Sequence, residues 1–170
     1  MARRFAVRTD TEPVSAAMVR LLGGCHHIHA LAVDVHPGTT AVDFTSALLH
    51  PLPLWIRLLL RLMDPLRACL GLPGSQVKPA QVTDGARIGP LFILDARDSQ
   101  VLAGEDSRDL SCRTVFTVRP GAGGTEGVCT TVIRCYRPAG ELYVRITKPL
   151  HTLILVSLAR QLARAHSVRR

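Results

Sequence analysis

The stretch from Ile88 to Val168 decides the fold, because it passes from short strand-like runs into one long apolar helix. Four runs of apolar and β-branched residues lie between turn residues: LFILD (Leu91–Asp95), QVLAG (Gln100–Gly104), LSCRTVFTV (Leu110–Val118) and VCTTVIRCYR (Val128–Arg137). Runs of this length and composition, punctuated by Gly, Asp and Pro, predict β-strands joined by tight turns. We therefore expect an antiparallel sheet built from neighbouring hairpins.

The spacing of the apolar residues changes at Glu141. The segment GELYVRITKPLHTLILVSLARQLARA (Gly140–Ala165) places leucine, isoleucine and valine at steps of three and four residues, which predicts an amphipathic helix. Pro149 lies inside this run and predicts a kink or the start of a second helical segment. A straight helix from Leu150 onwards would be about 24 Å long, enough to cross about four or five strands.

The residues upstream of the stretch predict further elements of the same domain. A first strand is expected over Ile28–Val35, before Pro37 and Gly38. Thr40 and Asp43 have the spacing of a helix capping box, which predicts a helix to about Leu49. A second helix is predicted over Leu54–Leu70, and Gly71–Ala86 has the Pro-Gly and Asp-Gly pairs of a loop.

Length and composition indicate one folded domain with a basic surface. The chain has 170 residues, of which 47% are hydrophobic and 4% aromatic, so aliphatic side chains must supply the core. The formal net charge is +8. Aromatic residues do not alternate with the basic ones, which argues against a nucleic-acid partner.

The first 24 residues differ from the rest of the chain. They are basic and poor in apolar runs, so we predict a loosely attached segment over residues 1–24 and a single domain over residues 25–170. Met1–Leu22 lacks the apolar core of a secretory signal, and the expected location is cytoplasmic. We also predict that the segment before Gly24 can be removed without unfolding the domain.

Cysteine, histidine and glycine patterns predict no cofactor. The five cysteines form no CxxC pair, and their odd number favours reduced thiols. His27 and His29 would share one face of a strand, but no second ligand cluster accompanies them, so we predict edge-strand histidines and no metal. The glycine-rich run Gly121–Gly127 lacks the Lys-Ser/Thr of a phosphate-binding loop and predicts a hairpin turn.

The apolar segment Leu52–Met63 is too short to cross a membrane and contains two arginines. A basic amphipathic helix of this kind can lie on a membrane surface. Packing against the sheet is the other interpretation, and the sequence leaves both open.

One polar set stands out within the strand-and-helix stretch, comprising Glu105, Asp106, Arg108, Asp109, Arg113, Arg134, Lys148 and His151. A hairpin that turns around Ala122–Gly124 and pairs Val118 with Cys129 would place Arg113 opposite Arg134, and Cys112 opposite Cys135. Facing arginines need counter-charge. The set is therefore either an ion-pair network on the outer face of the sheet or the polar end of an apolar cavity.

The cavity interpretation gives a specific hypothesis. Arg113, Arg134 and His151 converge in one pocket, with Glu105 or Asp106 supplying counter-charge, because an unpaired buried charge is too costly to persist. The remaining walls are expected to be apolar: Ile93, Leu102, Leu150 and Ile154.

Several short motifs in order resemble a known bacterial family of unknown function. They are Ile88-Gly89-Pro90-Leu91-Phe92, Gly104-Glu105-Asp106 with Asp109-Leu110 and Arg113, Thr131-Val132, and Gly140-x-x-Tyr143 followed by Lys148-Pro149-Leu150-His151. Members of that family occur alone or C-terminal to short-chain-dehydrogenase-like domains, and they are grouped with the START, polyketide-cyclase and pollen-allergen superfamily. The resemblance implies an α+β helix-grip fold, in which a curved antiparallel sheet wraps a long C-terminal helix. It carries over no catalytic residue and implies no cofactor.

The resulting expectation is a protein that holds a small hydrophobic or amphipathic ligand between sheet and C-terminal helix. The predicted ligand-binding residues are Arg113, Arg134, Lys148, His151, Glu105, Asp106 and Tyr143. The first alternative is an enzyme of the cyclase or dehydratase type that uses His151 with Glu105 or Asp106. The second is a membrane-surface or structural interaction protein without a ligand. The sequence leaves the ligand, any turnover and the oligomeric state open.

Overall fold

Seven antiparallel strands form one sheet in the computed structural model, which describes residues 7–10, 19–20, 22–50, 52–71, 82–88, 91–121 and 124–168. Their order across the sheet is β1-β2-β7-β6-β5-β4-β3. The strands are β1 (Val7–Asp10), β2 (His27–Val35), β3 (Arg87–Ile88), β4 (Leu91–Ala96), β5 (Gln100–Asp106), β6 (Leu110–Gly121) and β7 (Gly124–Cys135). The predicted α+β class and the five predicted strands are confirmed, whereas β1 and β3 were not predicted.

This sheet is accompanied by the helices α1 (Ala41–Leu49), α2 (Leu54–Cys69) and α3 (Pro138–Val168). The capping box is confirmed, since Thr40 Oγ1 accepts from the Asp43 amide and Asp43 Oδ2 accepts from the Thr40 amide. Of the two alternatives predicted at Pro149, the start of a second helical segment is wrong, because α3 continues through this residue. Proline removes a single backbone donor, and the flanking turns keep the helix continuous.

The main core lies between one face of the sheet and the helices α1 and α3. The Phe44 ring from α1 meets the Phe116 ring from β6 edge to face, with centroids 6.3 Å apart. Phe44 can lie against β7 because Gly127 has no side chain there; a Cβ would come within 2.5 Å of its ring. The second half of α3 completes this core with the buried side chains Leu155, Leu158, Ala159 and Leu162.

The opposite face of the sheet carries a smaller apolar cluster, formed by Leu22, Val115 and Val132 with Leu102 packed against them. Leu22 is thus buried, and β1 pairs with β2 along its whole length. Part of the predicted loose N-terminal segment therefore contributes to the sheet and to a core. The expectation that the domain folds without it stays a prediction.

The register of the β6–β7 hairpin differs from the prediction by two residues. Phe116 pairs with Cys129, and the last paired residues are Gly121 and Gly124. The strands continue closer to the turn than the sequence indicated, because a two-residue connection is enough for a glycine-flanked hairpin. Two predictions are wrong as a result: Arg113 faces Val132 rather than Arg134, and Cys112 faces Ile133 rather than Cys135.

All five cysteines are free in the structure, as the reduced-thiol prediction requires. Most of the predicted loop Gly71–Ala86 lies outside the described residues. No helix in the described part of the chain is long and apolar enough to cross a membrane.

Candidate functional site

A cavity of about 170 Å³ lies between the first half of α3, the inner side of α2 and the sheet. Its lining is mainly aliphatic, and α2 contributes Leu59, Leu60 and Met63 while α3 contributes Val144, Leu150 and Ile154. Two of the predicted wall residues, Leu150 and Ile154, thus line this cavity. Ile93 does not line the cavity but is buried in the main core, and Leu102 packs on the other face of the sheet.

The cavity exists because two rows of residues across the sheet differ in size. Where the core is closely packed, β6 presents Phe116 and its partner on β7 is Cys129, which in turn pairs with Leu31 on β2. Two residues away on each of these strands, the corresponding row across the sheet consists of Thr114, Thr131 and His29. The two threonine hydroxyls hydrogen-bond to each other at 3.0 Å and so satisfy each other in a buried place. Thr114 is much smaller than Phe116, and this difference leaves room under α3.

One end of the cavity carries a buried cluster of two arginines and one carboxylate. Nη2 of Arg67 donates to both Glu105 oxygens at 2.9 and 2.7 Å, and Nη1 of Arg87 donates to Oε1 at 3.0 Å. The Arg67 and Glu105 side chains are only 8% and 9% exposed. Tyr143 adds its hydroxyl, which accepts a weak bond from Arg67 Nη1 at 3.5 Å.

The electrostatics of the cluster follow from burial and from the short ion pair. Burial by itself would lower the pKa of Arg67, but the Glu105 carboxylate and the Tyr143 hydroxyl together outweigh burial and raise that pKa. Burial raises the pKa of Tyr143, which therefore stays protonated at neutral pH. Two guanidinium groups therefore converge on one carboxylate at this end of the cavity, where Arg67 and Glu105 line the space and Arg87 binds Glu105.

Two histidines line the cavity where α3 crosses β2. The rings of His29 and His151 meet edge to face with centroids 5.8 Å apart. Burial, and secondarily the nearby His29, lower the pKa of His151 to about 4. Burial and then Lys148 lower the pKa of His29. Both imidazoles are accordingly neutral at pH 7, so they add polarity but no charge.

The structure brings together four of the seven predicted ligand-binding residues. Glu105, Tyr143, Lys148 and His151 all line the cavity.

The other three predicted residues, Asp106, Arg113 and Arg134, lie on the opposite face of the sheet. Arg113 forms two bonds to the Asp106 carboxylate at 2.9 and 2.8 Å. Arg134 donates to the Leu22 carbonyl and stacks 5.2 Å from the Tyr136 ring centroid. The hypothesis that Arg113, Arg134 and His151 converge is therefore wrong. Side chains alternate along a strand, and the sequence did not reveal which face the helices cover.

Sequence reasoning missed three contributors to the site. Arg67 lies in a helix that was predicted only for its apolar stripe, and Arg87 follows a segment that was predicted as a loop. His29 was interpreted as an edge-strand residue, but β1 pairs outside β2, so β2 is an inner strand. The usable signal was the Arg67 position itself, an arginine on the side of the helix that carries Leu60 and Met63.

Metal binding has no support in the described part of the chain, where no three His, Cys, Asp or Glu side chains cluster closely enough to hold an ion. The cavity-lining Cys112 is a poor nucleophile, since desolvation and then the Glu105 charge raise the pKa of its thiol to about 12.

Comparison with known proteins gives a family and a fold. The family model described as protein of unknown function (DUF2867) matches residues 21–158. A crystal structure of a protein from Rhodobacter sphaeroides has a TM-score of 0.50 at 14% identity, covering 97% of this chain and 100% of that one. A protein from Mycobacterium smegmatis follows with a TM-score of 0.45 at 14% identity, covering 83% and 92%. No curated protein matches. At this identity the Rhodobacter likeness shows the fold alone.

Proposed function

We propose that this chain, which belongs to the DUF2867 family of proteins of unknown function, binds a small amphipathic molecule with an anionic head. The observation that carries the proposal is the apolar cavity that ends at Arg67, Glu105 and Arg87. A guanidinium group at the end of an apolar space offers charge-assisted hydrogen bonds, and a carboxylate or phosphate head group is the ligand chemistry that such a group binds. The proposed site comprises Arg67, Glu105, Tyr143, Lys148 and His151.

The volume limits the ligand. An apolar cavity of about 150 Å³ accommodates one aromatic ring, and this cavity is of similar size at about 170 Å³. A single ring or a short acyl chain therefore fits, whereas a nucleotide or a sugar would leave most of its hydrogen-bonding groups against aliphatic walls. Lys148 at the cavity adds to the attraction for an acid.

The proposal includes the finer fold assignment. An antiparallel sheet facing a long C-terminal helix across a cavity is the arrangement that the helix-grip, START-like resemblance implies, and in this proposal α3 is the gripped helix. Within this proposal α2 forms a third wall.

The geometry reduces the candidate catalytic pairs of the enzyme alternative. Asp106 is on the wrong face of the sheet to act with His151, which leaves Glu105 as the carboxylate partner. Glu105 is held by two guanidinium groups, and both of its carboxylate oxygens already accept hydrogen bonds from them. These contacts favour binding over proton-transfer chemistry.

The test uses octanoate and octanol, which share a chain and differ in the head group. We expect octanoate to raise the melting temperature more than octanol and to bind at least about tenfold more tightly, because charge-assisted hydrogen bonds contribute about 1.5–3 kcal/mol. Arg67→Gln should remove this preference. Arg113→Gln is the matched control, since it also removes an arginine from a carboxylate but on the other face.

A second variant tests the cavity itself. Cys112→Leu fills the space beside Thr114 with apolar atoms and should weaken both ligands equally. The proposal is wrong if neither ligand binds, or if Arg113→Gln abolishes the octanoate preference as fully as Arg67→Gln does. Mass spectrometry of small molecules released from the natively purified protein would identify the natural ligand.

A further inference from the structure

Helix α2 leaves an apolar face open to solvent. Leu54, Leu58 and Leu62 are 72%, 65% and 75% exposed, and Trp55 beside them is 41% exposed. The three leucines are spaced at i, i+4 and i+8, so they form one continuous stripe along the outside of the helix. Within this helix only Ile56 and Arg67 are buried.

The inner side of the same helix is also apolar, because Leu59, Leu60 and Met63 line the cavity. A helix that is apolar on two sides normally lies between two other apolar layers. Here one layer is the domain itself, and an exposed row of large apolar side chains marks a surface for a second one.

The charges beside the stripe indicate the nature of the layer that covers the outer face of α2. Arg57 and Arg61 lie four residues apart on one edge of the apolar stripe, and the whole chain has a formal net charge of +8. Two copies of this chain would repel each other, whereas a surface of anionic lipids is complementary. Leucine and tryptophan beside arginine is also the composition of helices that lie in a bilayer interface.

We propose that α2 docks this protein on an anionic lipid bilayer, parallel to its surface. Leu54, Leu58 and Leu62 enter the boundary between headgroups and acyl chains, Trp55 lies at the headgroup level, and Arg57 and Arg61 contact lipid phosphates. The 16 residues of the helix form a rod about 24 Å long. This inference is independent of the proposed ligand, because it uses only the outer face of α2.

The test exploits the fact that Trp55 is the single tryptophan of the chain. The full-length protein is mixed with vesicles of phosphatidylcholine alone or with phosphatidylglycerol added, and is followed by co-sedimentation and by tryptophan emission. We expect co-sedimentation and a blue shift of the emission with phosphatidylglycerol vesicles only, both weakened by added salt. Quenching of Trp55 by brominated acyl chains should follow.

Matched variants separate this helix from the general basicity of the chain. Arg57→Gln with Arg61→Gln should lower the partition coefficient by about 25-fold, since each arginine near an anionic surface contributes about fivefold. Arg145→Gln with Arg160→Gln removes the same charge from exposed positions on α3 and should leave most of the binding. Likewise Leu58→Glu should lower binding at least about tenfold, whereas Leu94→Glu, another exposed leucine, should not.

Three results would overturn the inference. Absence of binding to phosphatidylglycerol vesicles is the first. The second is co-sedimentation with an unchanged Trp55 emission, which would place the contact on another surface. The third is a blue shift that rises with protein concentration without vesicles, which would make a second copy the occupant. Circular dichroism melting confirms that each variant is folded.

Discussion

Glu105 and Asp106 are neighbours in β5, and each is bound by arginine, yet they belong to different environments. The Glu105 side chain is 9% exposed and lies between Arg67 and Arg87, whereas the Asp106 side chain is 61% exposed and pairs with Arg113. The alternation of side chains along a strand places one at the cavity and the other on the opposite face. Two equivalent-looking ion pairs therefore differ in energy.

The difference in energy between these two ion pairs follows from their different exposure to solvent. Around Asp106, water screens the pair and competes for both groups, so the net contribution is small. Its pKa is lowered, first by the hydrogen bond from Arg113, which shows an interaction but not a large gain in stability. Around Glu105, each group has lost its water and depends on its partners. Removing one partner from the Glu105 cluster leaves a buried charge without its counter-charge. The predictions below test this contrast between the buried cluster and the exposed pair.

The largest effect is expected from Glu105→Gln. It leaves Arg67 and Arg87 facing each other in a buried place without the carboxylate, and removal of one member of a buried ion pair costs about 3–5 kcal/mol. The free energy of unfolding, measured in urea, should fall by this amount, and Asp106→Asn serves as the matched control. A loss below about 1 kcal/mol for Glu105→Gln would remove the distinction between the two faces.

The second effect concerns pH and distinguishes the cavity histidine from the carboxylate on the other face. The pKa of His151 is about 4 in the folded protein against an ordinary 6.5. Below pH 6.5 His151 becomes protonated in the unfolded chain but stays neutral in the folded protein. The stability is therefore at its full value above pH 6.5 and declines as the pH falls towards 4. Linkage gives a loss of about 3 kcal/mol as an upper figure.

Urea unfolding between pH 7 and 4.5 checks this expectation. His151→Gln should flatten most of the decline, because glutamine does not titrate. Asp106→Asn should leave the slope unchanged, since the lowered pKa of Asp106 keeps it ionised throughout this range and any stability from it is lost only at lower pH. An unchanged slope in His151→Gln would show that His151 is protonated in the folded protein.

The third effect is a coupling between the two arginines of the buried cluster. Arg67→Gln or Arg87→Gln alone still leaves Glu105 with one guanidinium partner, so each should cost about 1–2 kcal/mol. The double variant leaves the Glu105 carboxylate without either guanidinium partner. Its loss of stability should exceed the sum of the two single losses by about 1–3 kcal/mol. Additive costs would mean that the arginines do not share Glu105.

The sequence predicted the elements better than their contacts. The strand runs, the capping box at Thr40 and the C-terminal helix follow from local patterns that a window of residues contains. The β6–β7 register does not, because it depends on whether two or more residues form the turn near Gly121 and Gly124, and the apolar alternation of both strands is imperfect.

The site could be predicted only in part for the same reason. Lys148 and His151 are three residues apart on the predicted helix, so the sequence indicated that these two side chains lie on one face of α3. The pairing of Arg67 with Glu105 was not predictable, since 38 residues separate them and no local pattern couples them. Choosing between Glu105 and Asp106 required the covered face of the sheet, which depends on how α2 and α3 pack.

The smallest effect is expected at the exposed pair, and it completes the comparison. Arg113 holds Asp106 with two bonds of 2.9 and 2.8 Å, a geometry as good as that of the buried cluster, so geometry alone would predict equal costs. Exposure predicts otherwise: Asp106→Asn and Arg113→Gln should each cost less than about 1 kcal/mol, and their double-mutant coupling should be about 0.2–1 kcal/mol. Half-molar salt should reduce that coupling further, because it screens charges that water already reaches. The measurement is a double-mutant cycle of urea unfolding at two salt concentrations. A salt-insensitive coupling above about 2 kcal/mol would mean that the Asp106 face is covered in the folded protein, as the Glu105 face is, and that burial does not separate the two neighbours.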